Sequence, residues 1–229
     1  MIGILAAMDT EVEAIKNIME IKKEELYQGM NFTYGTIENK EVVLCKCGVG
    51  KCLASMSATL LCTKEKLSAL INVGVAGGLK EDQNVLDIVI SDKIVQADYD
   101  TSPIDGDDGI GLVFEADEKL KETCIEAAKK AKITYHVGTI ASQDIFMARK
   151  EDYDRLMTKF ADSACSEMEG GAIGQIAHVF NVPVLIVRSL SDVVDHHDNP
   201  MEFTTYAQIA SKQAATLIKE MMRWVSKII

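Results

Sequence analysis

Positive charge is scarce in this chain. Lysine and arginine number 24 against 35 aspartate and glutamate residues, a formal net charge of −11. Neutralising phosphates is the main electrostatic term in nucleic-acid binding, so the balance argues against DNA or RNA as a partner. It argues equally against an anionic membrane surface. Long apolar runs are missing too: nothing approaches the roughly 20 residues that span a bilayer. The first residues show no basic stretch leading into an apolar signal core, so a cytoplasmic protein is expected. Cys45, Cys47, Cys52, Cys62, Cys124 and Cys165 lack the Cys-x-x-Cys or Cys/His spacing of a zinc site. Most of them sit inside apolar runs and read as reduced core residues. No metal or cofactor is expected. There is no internal repeat, low-complexity tract or linker, so residues 1–229 are expected to form one domain.

What is present is an alternation of apolar strands and helical stretches, the pattern of an α/β fold with helices on both faces of a sheet. Ile2–Ala6 reads as a short buried strand, and Thr10-x-x-Glu13 as a capping box opening the next helix with Glu11 in its first turn. Residues 30–37 and 41–47 read as a hairpin about Glu38-Asn39-Lys40, and a helix follows Gly48-Val49-Gly50-Lys51. Strands are expected at 70–78, 86–95, 134–141, 163–168 and 184–188, and helices at 116–132, 150–160, 170–180 and 203–228. Residues 97–111, acidic and glycine-containing, read as a long exposed loop.

Two glycine clusters invite over-reading. Gly48-Val49-Gly50-Lys51 lacks the spacing of a phosphate-binding P-loop, and Leu53 stands where a dinucleotide fingerprint needs its third glycine. Gly74-Val75-Ala76-Gly77-Gly78 follows a strand, which fits either close backbone approach to a ligand or a tight packed turn. Open α/β sheets bind ligands beyond the carboxyl ends of their strands. Glu11, Gly77, Glu169 and Asp192 all fall just beyond such ends. Any one acid alone reads more readily as a helix cap or a solvated loop residue than as a ligand; their joint placement points to one crevice.

The segments Ile-Gly-Ile-Leu-Ala-Ala-Met-Asp-Thr-Glu-Val-Glu at the start, Gly-Val-Gly-Lys at 48–51 and Asn-Val-Gly-Val-Ala-Gly-Gly at 72–78 resemble the methylthioadenosine/S-adenosylhomocysteine nucleosidases. So do Glu-Met-Glu at 167–169 and Val-Arg-Ser-Leu-Ser-Asp-Val at 187–193. One block alone is shared with the purine nucleoside phosphorylases of the same fold, whereas the ordered set covers nearly the whole chain. The resemblance implies a nucleoside phosphorylase/hydrolase-like α/β domain that hydrolyses the N-ribosidic bond of adenine nucleosides without a cofactor. It also implies a homodimer in which about residues 97–114 reach the partner's 5′ pocket.

Carried over by position, the resemblance makes Asp192 the acid at adenine N7 and Glu11 the base for the attacking water. It implies that Glu169 holds the ribose hydroxyls, that Met168 lies against the sugar, and that Arg188 positions the water and the acids. Phe146 corresponds to the residue stacking on adenine and Met147 to the backbone that reads its amino edge. Met8, Val49 and Phe203 correspond to the apolar lining of the 5′ pocket, although Met8, Val49 and Met168 read as plain core by themselves. Ser191 would orient Asp192, while Glu167 has no assigned chemistry. An aspartate at its ordinary pKa of ~3.9 holds its proton in only about one molecule in a thousand at pH 7, so the acid's role demands a perturbed site.

Two positions depart from the family pattern. Val75 stands where both families often carry serine, and residues 95–100 lack the usual His-Asp pair. The competing reading is a phosphorylase, whose phosphate site wants arginine forks and hydroxyl donors. The chain has only four arginines (Arg149, Arg155, Arg188 and Arg223), and Arg188 alone reads as lying at a strand end. A non-catalytic nucleoside-binding protein would keep Phe146 and Glu169 but has no need of both Glu11 and Asp192.

Overall fold

The computed structural model describes residues 1–193 and 200–225, apart from the side chains of 200–205. His196, His197 and the Phe203 side chain therefore lie outside the described residues. Along the chain come β1 (Ile2–Ala6), α1 (Asp9–Lys16), β2 (Glu20–Tyr27), β3 (Met30–Ile37), β4 (Lys40–Lys46), α2 (Lys51–Lys64) and β5 (Ala69–Gly78). They are followed by β6 (Ile88–Asp100), α3 (Ser102–Asp105), a 3-10 turn (Gly106–Gly109), β7 (Ile110–Glu115), α4 (Glu118–Ala131) and β8 (Tyr135–Ser142). The last elements are α5 (Lys150–Lys159), β9 (Ser163–Glu167), α6 (Gly170–Phe180), β10 (Val184–Val193) and α7 (Pro200–Trp224).

The described strands form one mixed sheet, and five of them close on themselves. β5 pairs in parallel with β10, β10 runs antiparallel to β6, and β6, β8 and β9 are successive parallel neighbours. The circle closes where the tips of β5 and β9 cross, at Gly77 opposite Ser166 and Gly78 opposite Cys165. From the other part of β5 the sheet extends through β1 and β4 to β3 and β2. β1 is buried along its whole length because it lies between β4 and β5. Helices cover both faces. Ile15 of α1, Leu120 and Ala127 of α4, and Leu217 and Met221 of α7 pack on one. Ala54, Ala58 and Leu61 of α2 with Ala172, Ile173 and Ala177 of α6 pack on the other. Burying each large aliphatic side chain contributes about 1.5–3 kcal/mol, so the two faces hold the strand ends in fixed relation.

The hairpin turn forms as expected, with Glu38 and Asn39 at φ 48° and 62°, the geometry that matches the twist of its strands. Three local readings are corrected. The first helix begins two residues earlier than the Thr10-x-x-Glu13 pattern implies: Met8 is its N-cap, and Glu11 rather than Glu13 reaches back to the Met8 amide. β2 carries no sequence signal because most of it is exposed at the sheet edge, so pairing with β3 and not apolar alternation holds it. Residues 97–111 are not one loop: β6 runs on to Asp100, and α3, the 3-10 turn and the start of β7 follow. Two of their aspartates are matched by cations, Lys51 on Asp98 and Lys159 on Asp100. Of the cysteines, Cys45, Cys47, Cys124 and Cys165 are buried, Cys62 is half-buried and Cys52 is exposed, all as free thiols.

Candidate active site

β1 delivers Glu11 in the first turn of α1. The Glu11 Oε2 accepts the Ala7 and Met8 amides at 2.8 and 2.9 Å, and its Oε1 accepts the Val75 amide of β5 at 3.0 Å. Its carboxylate is thus fixed from the turn after β1 and from β5. Burial pushes its pKa up, against the pull of the nearby Arg188 charge and the three amides. Gly74 is what permits this approach: a Cβ there would stand 2.6 Å from Glu11 Oε1 and 3.3 Å from Arg188 Nη1.

Glu167 and Glu169 lie where β9 turns into α6. The Glu167 carboxylate accepts the amides of Glu169 at 3.0 Å and Gly170 at 2.8 Å, an anion at the positive end of a helix. It also accepts the Ser142 hydroxyl and pairs with Arg188. The Glu169 Oε1 accepts the Gly50 amide at 3.0 Å, and its Oε2 lies 3.6 Å from Arg188 Nη2. Burial, then the Glu167 charge, pushes the Glu169 carboxyl up to about 7. Arg188 is sealed inside β10 at 1% exposure and also donates to the Asn72 side-chain oxygen.

Asp192 follows a register shift between Leu190 and Asp192 on β10, which brings it opposite Gly77. The Ser191 hydroxyl donates to Asp192 Oδ1 at 2.7 Å, the orienting contact the sequence implied. A Cβ on Gly77 would stand 3.1 Å from Asp192 Oδ2, so the glycine lets the carboxylate lie against the β5 backbone.

These groups border one cavity of about 280 Å³. Glu11, Glu169 and Asp192 line it together with Gly77, Val75 and Glu167. Met8 and Val49 form part of its apolar lining, and Met168, Phe146 and Met147 complete the sequence-predicted set that reaches it. Phe146 keeps 54% of its surface exposed, as a ring forming an open wall does. Arg188 does not line the cavity, because it stands inside β10 behind Glu167 and Glu169, where it pairs with both acids. Ser191 likewise stands behind Asp192. Glu167, left without chemistry by the sequence, anchors Arg188, Ser142 and the start of α6.

The sequence reading did not single out Ala76, Leu79, Ile145, Arg149, Tyr153 and Ser166, which also line the cavity. Ala76 and Ser166 adjoin predicted residues; Arg149 and Tyr153 come from the start of α5, where no local pattern marks them. The Arg149 guanidinium is engaged by the buried Asp152, at 3.1 and 3.3 Å. Among the described residues no three His, Cys, Asp or Glu side chains converge to hold a metal ion.

A closed barrel with three acids at its strand ends defines a class, and the family model of the phosphorylase superfamily matches residues 1–223. A 5′-methylthioadenosine/S-adenosylhomocysteine nucleosidase of Halalkalibacterium halodurans is 37% identical over 221 residues, covering 95% of each chain. The chain belongs to this nucleosidase family. A nucleosidase of that name from Neisseria meningitidis, solved with methylthio-immucillin-A, superposes with a TM-score of 0.91 at 26% identity, covering 97% of this chain and 98% of that one. The futalosine hydrolase of Helicobacter pylori superposes with a TM-score of 0.90 at 28% identity, covering 97% of both chains.

Proposed function

We propose that the protein hydrolyses the N-ribosidic bond of adenine nucleosides bearing a 5′-thio or 5′-deoxy substituent, releasing adenine and the free sugar. The observation that carries this reading is the convergence of Glu11, Glu169 and Asp192 on one cavity with an aromatic wall at Phe146. Breaking the bond leaves electron density on the purine and an oxocarbenium-like sugar. Asp192 supplies a proton at N7 so that adenine departs neutral, and Glu11 takes a proton from the water that adds to the anomeric carbon. Glu169 accepts from the ribose hydroxyls with Met168 beneath the ring, and Met147 reads the base edge. Met8, Val49 and Val75 offer an apolar surface to the 5′ group.

Water is favoured over phosphate as the nucleophile because every arginine is already engaged by carboxylates. Arg188 is held by Glu167, Arg149 and Arg155 by Asp152, and Arg223 by Glu38 and Glu220. With Val75 in place of a hydroxyl residue, the cavity end of β5 also lacks a side-chain donor for an anion. A homodimer, a cytoplasmic location and a place in methionine salvage and the recycling of S-adenosylmethionine by-products belong to the same proposal. They rest on the family resemblance. No helix among the described residues is long and apolar enough to cross a membrane.

The test is a substrate panel of 5′-methylthioadenosine, S-adenosylhomocysteine, 5′-deoxyadenosine and a futalosine-type nucleoside, with free base measured by chromatography. Adenine release from the first two is expected. Tight binding without release would mark a nucleoside-binding protein, and exclusive cleavage of the futalosine-type nucleoside would move the substrate class.

A further inference from the structure

Lys51, Asp98 and Asp144 make a closed ring of contacts beside the cavity without lining it. One oxygen of Asp98 takes the Lys51 ammonium and the other accepts the Asp144 amide at 2.9 Å. Asp144 Oδ1 in turn accepts the Lys51 amide at 2.8 Å. Three segments distant in sequence are tied at one point: the first residue of α2, the far end of β6, and the loop between β8 and α5. Val49 and Gly50 directly precede Lys51, and Gly50 donates to Glu169. Ile145, Phe146 and Met147 directly follow Asp144 and line the cavity. Gly48 and Gly50 sit at φ 73° and 95°, outside any helix or strand ladder, so the loop needs support from elsewhere. The Lys51 and Asp98 side chains are only 17% and 24% exposed, which limits screening of their charges.

We infer that Lys51, Asp98 and Asp144 are a positioning clasp that sets the separation between the base wall and the ribose wall. It thereby governs affinity for a ligand that touches both walls. The inference rests on reading the cavity as a nucleoside site. A nucleoside spans both walls whereas free adenine meets the base wall alone, so the clasp acts on one and spares the other.

The experiment uses the full chain with Lys51→Met, Asp98→Asn, their double variant and Asp144→Ala. The singles are expected to raise KM for 5′-methylthioadenosine by about tenfold while kcat and the Kd of adenine move less than about threefold. Lys51→Met and Asp98→Asn break the same contact, so the double variant is expected to match the worse single. Gly50 amide exchange, which needs no substrate, is expected to quicken at least about tenfold in Lys51→Met. Unchanged Gly50 exchange, equal losses for nucleoside and adenine, or effects that multiply in the double variant would overturn the clasp. If the unmodified protein releases no adenine, the nucleosidase reading fails instead, and Gly50 exchange still decides the clasp.

Discussion

Glu11, Glu167 and Glu169 surround the single guanidinium of Arg188, and all four groups are buried. One cation cannot neutralise three anions, and Glu169 relieves the excess by keeping its proton up to about pH 7, with burial the larger cause and Glu167 the next. The unfolded chain releases that proton near the ordinary 4.5. Between those two pH values the folded state binds more protons, so this group's contribution to stability falls as pH rises and is constant above the window. Glu169→Gln keeps an acceptor for Gly50 and removes the cost. It is expected to melt higher than the unmodified protein at pH 8, by about 2–4 °C per kcal/mol relieved, with the gap closing at pH 5. A gap independent of pH would contradict the assignment. Asp192→Asn and Glu11→Gln are each expected to cut kcat at least about a hundredfold in a folded protein, the scale of general acid–base catalysis. Near-normal turnover in either would remove that residue from the chemistry.

At the scale of elements, β5 organises the site, because its backbone meets both proposed catalytic carboxylates through glycines. Gly74→Ala would push a methyl into Glu11 and Arg188, and its neighbours there are held by strand amides and buried ion pairs rather than free to swing away. The expected result is a loss of kcat of about tenfold or more with adenine affinity retained, since the base wall lies elsewhere on the cavity. Unaltered kinetics would show that Glu11 tolerates displacement. β5 and β10 were legible in the sequence because β-branched runs end in glycine or acid. What supports the site was not. Asn72, Ser142 and the Gly50 amide reach their partners across long separations, 119 residues from Gly50 to Glu169, and no local period encodes such a meeting. Arg188 read as a strand-end residue because its polar neighbours suggested a terminus, whereas β10 continues five residues beyond it. Asp98 and Asp100 read as loop for the same reason: their charge is matched by lysines the sequence places far away.

For the whole molecule, closure of the barrel is what brings the ends of β5, β9 and β10 together around one cavity. That closure depends on two residue pairs between β5 and β9, too short a contact to be foreseen from strand patterns. The α/β class, the order of the buried strands and main helices and the excess of acidic residues were plain from the sequence, because apolar runs and charge are local properties, whereas the exposed β2 and the short α3 and β7 were not. The central claim for the molecule is that water, not phosphate, attacks the anomeric carbon. Incubation of the protein with 5′-methylthioadenosine in ¹⁸O-labelled water, with and without phosphate, tests it most directly. The account predicts free methylthioribose carrying the label at its anomeric hydroxyl and adenine release that is independent of phosphate. A sugar 1-phosphate, formed only when phosphate is present, would contradict it.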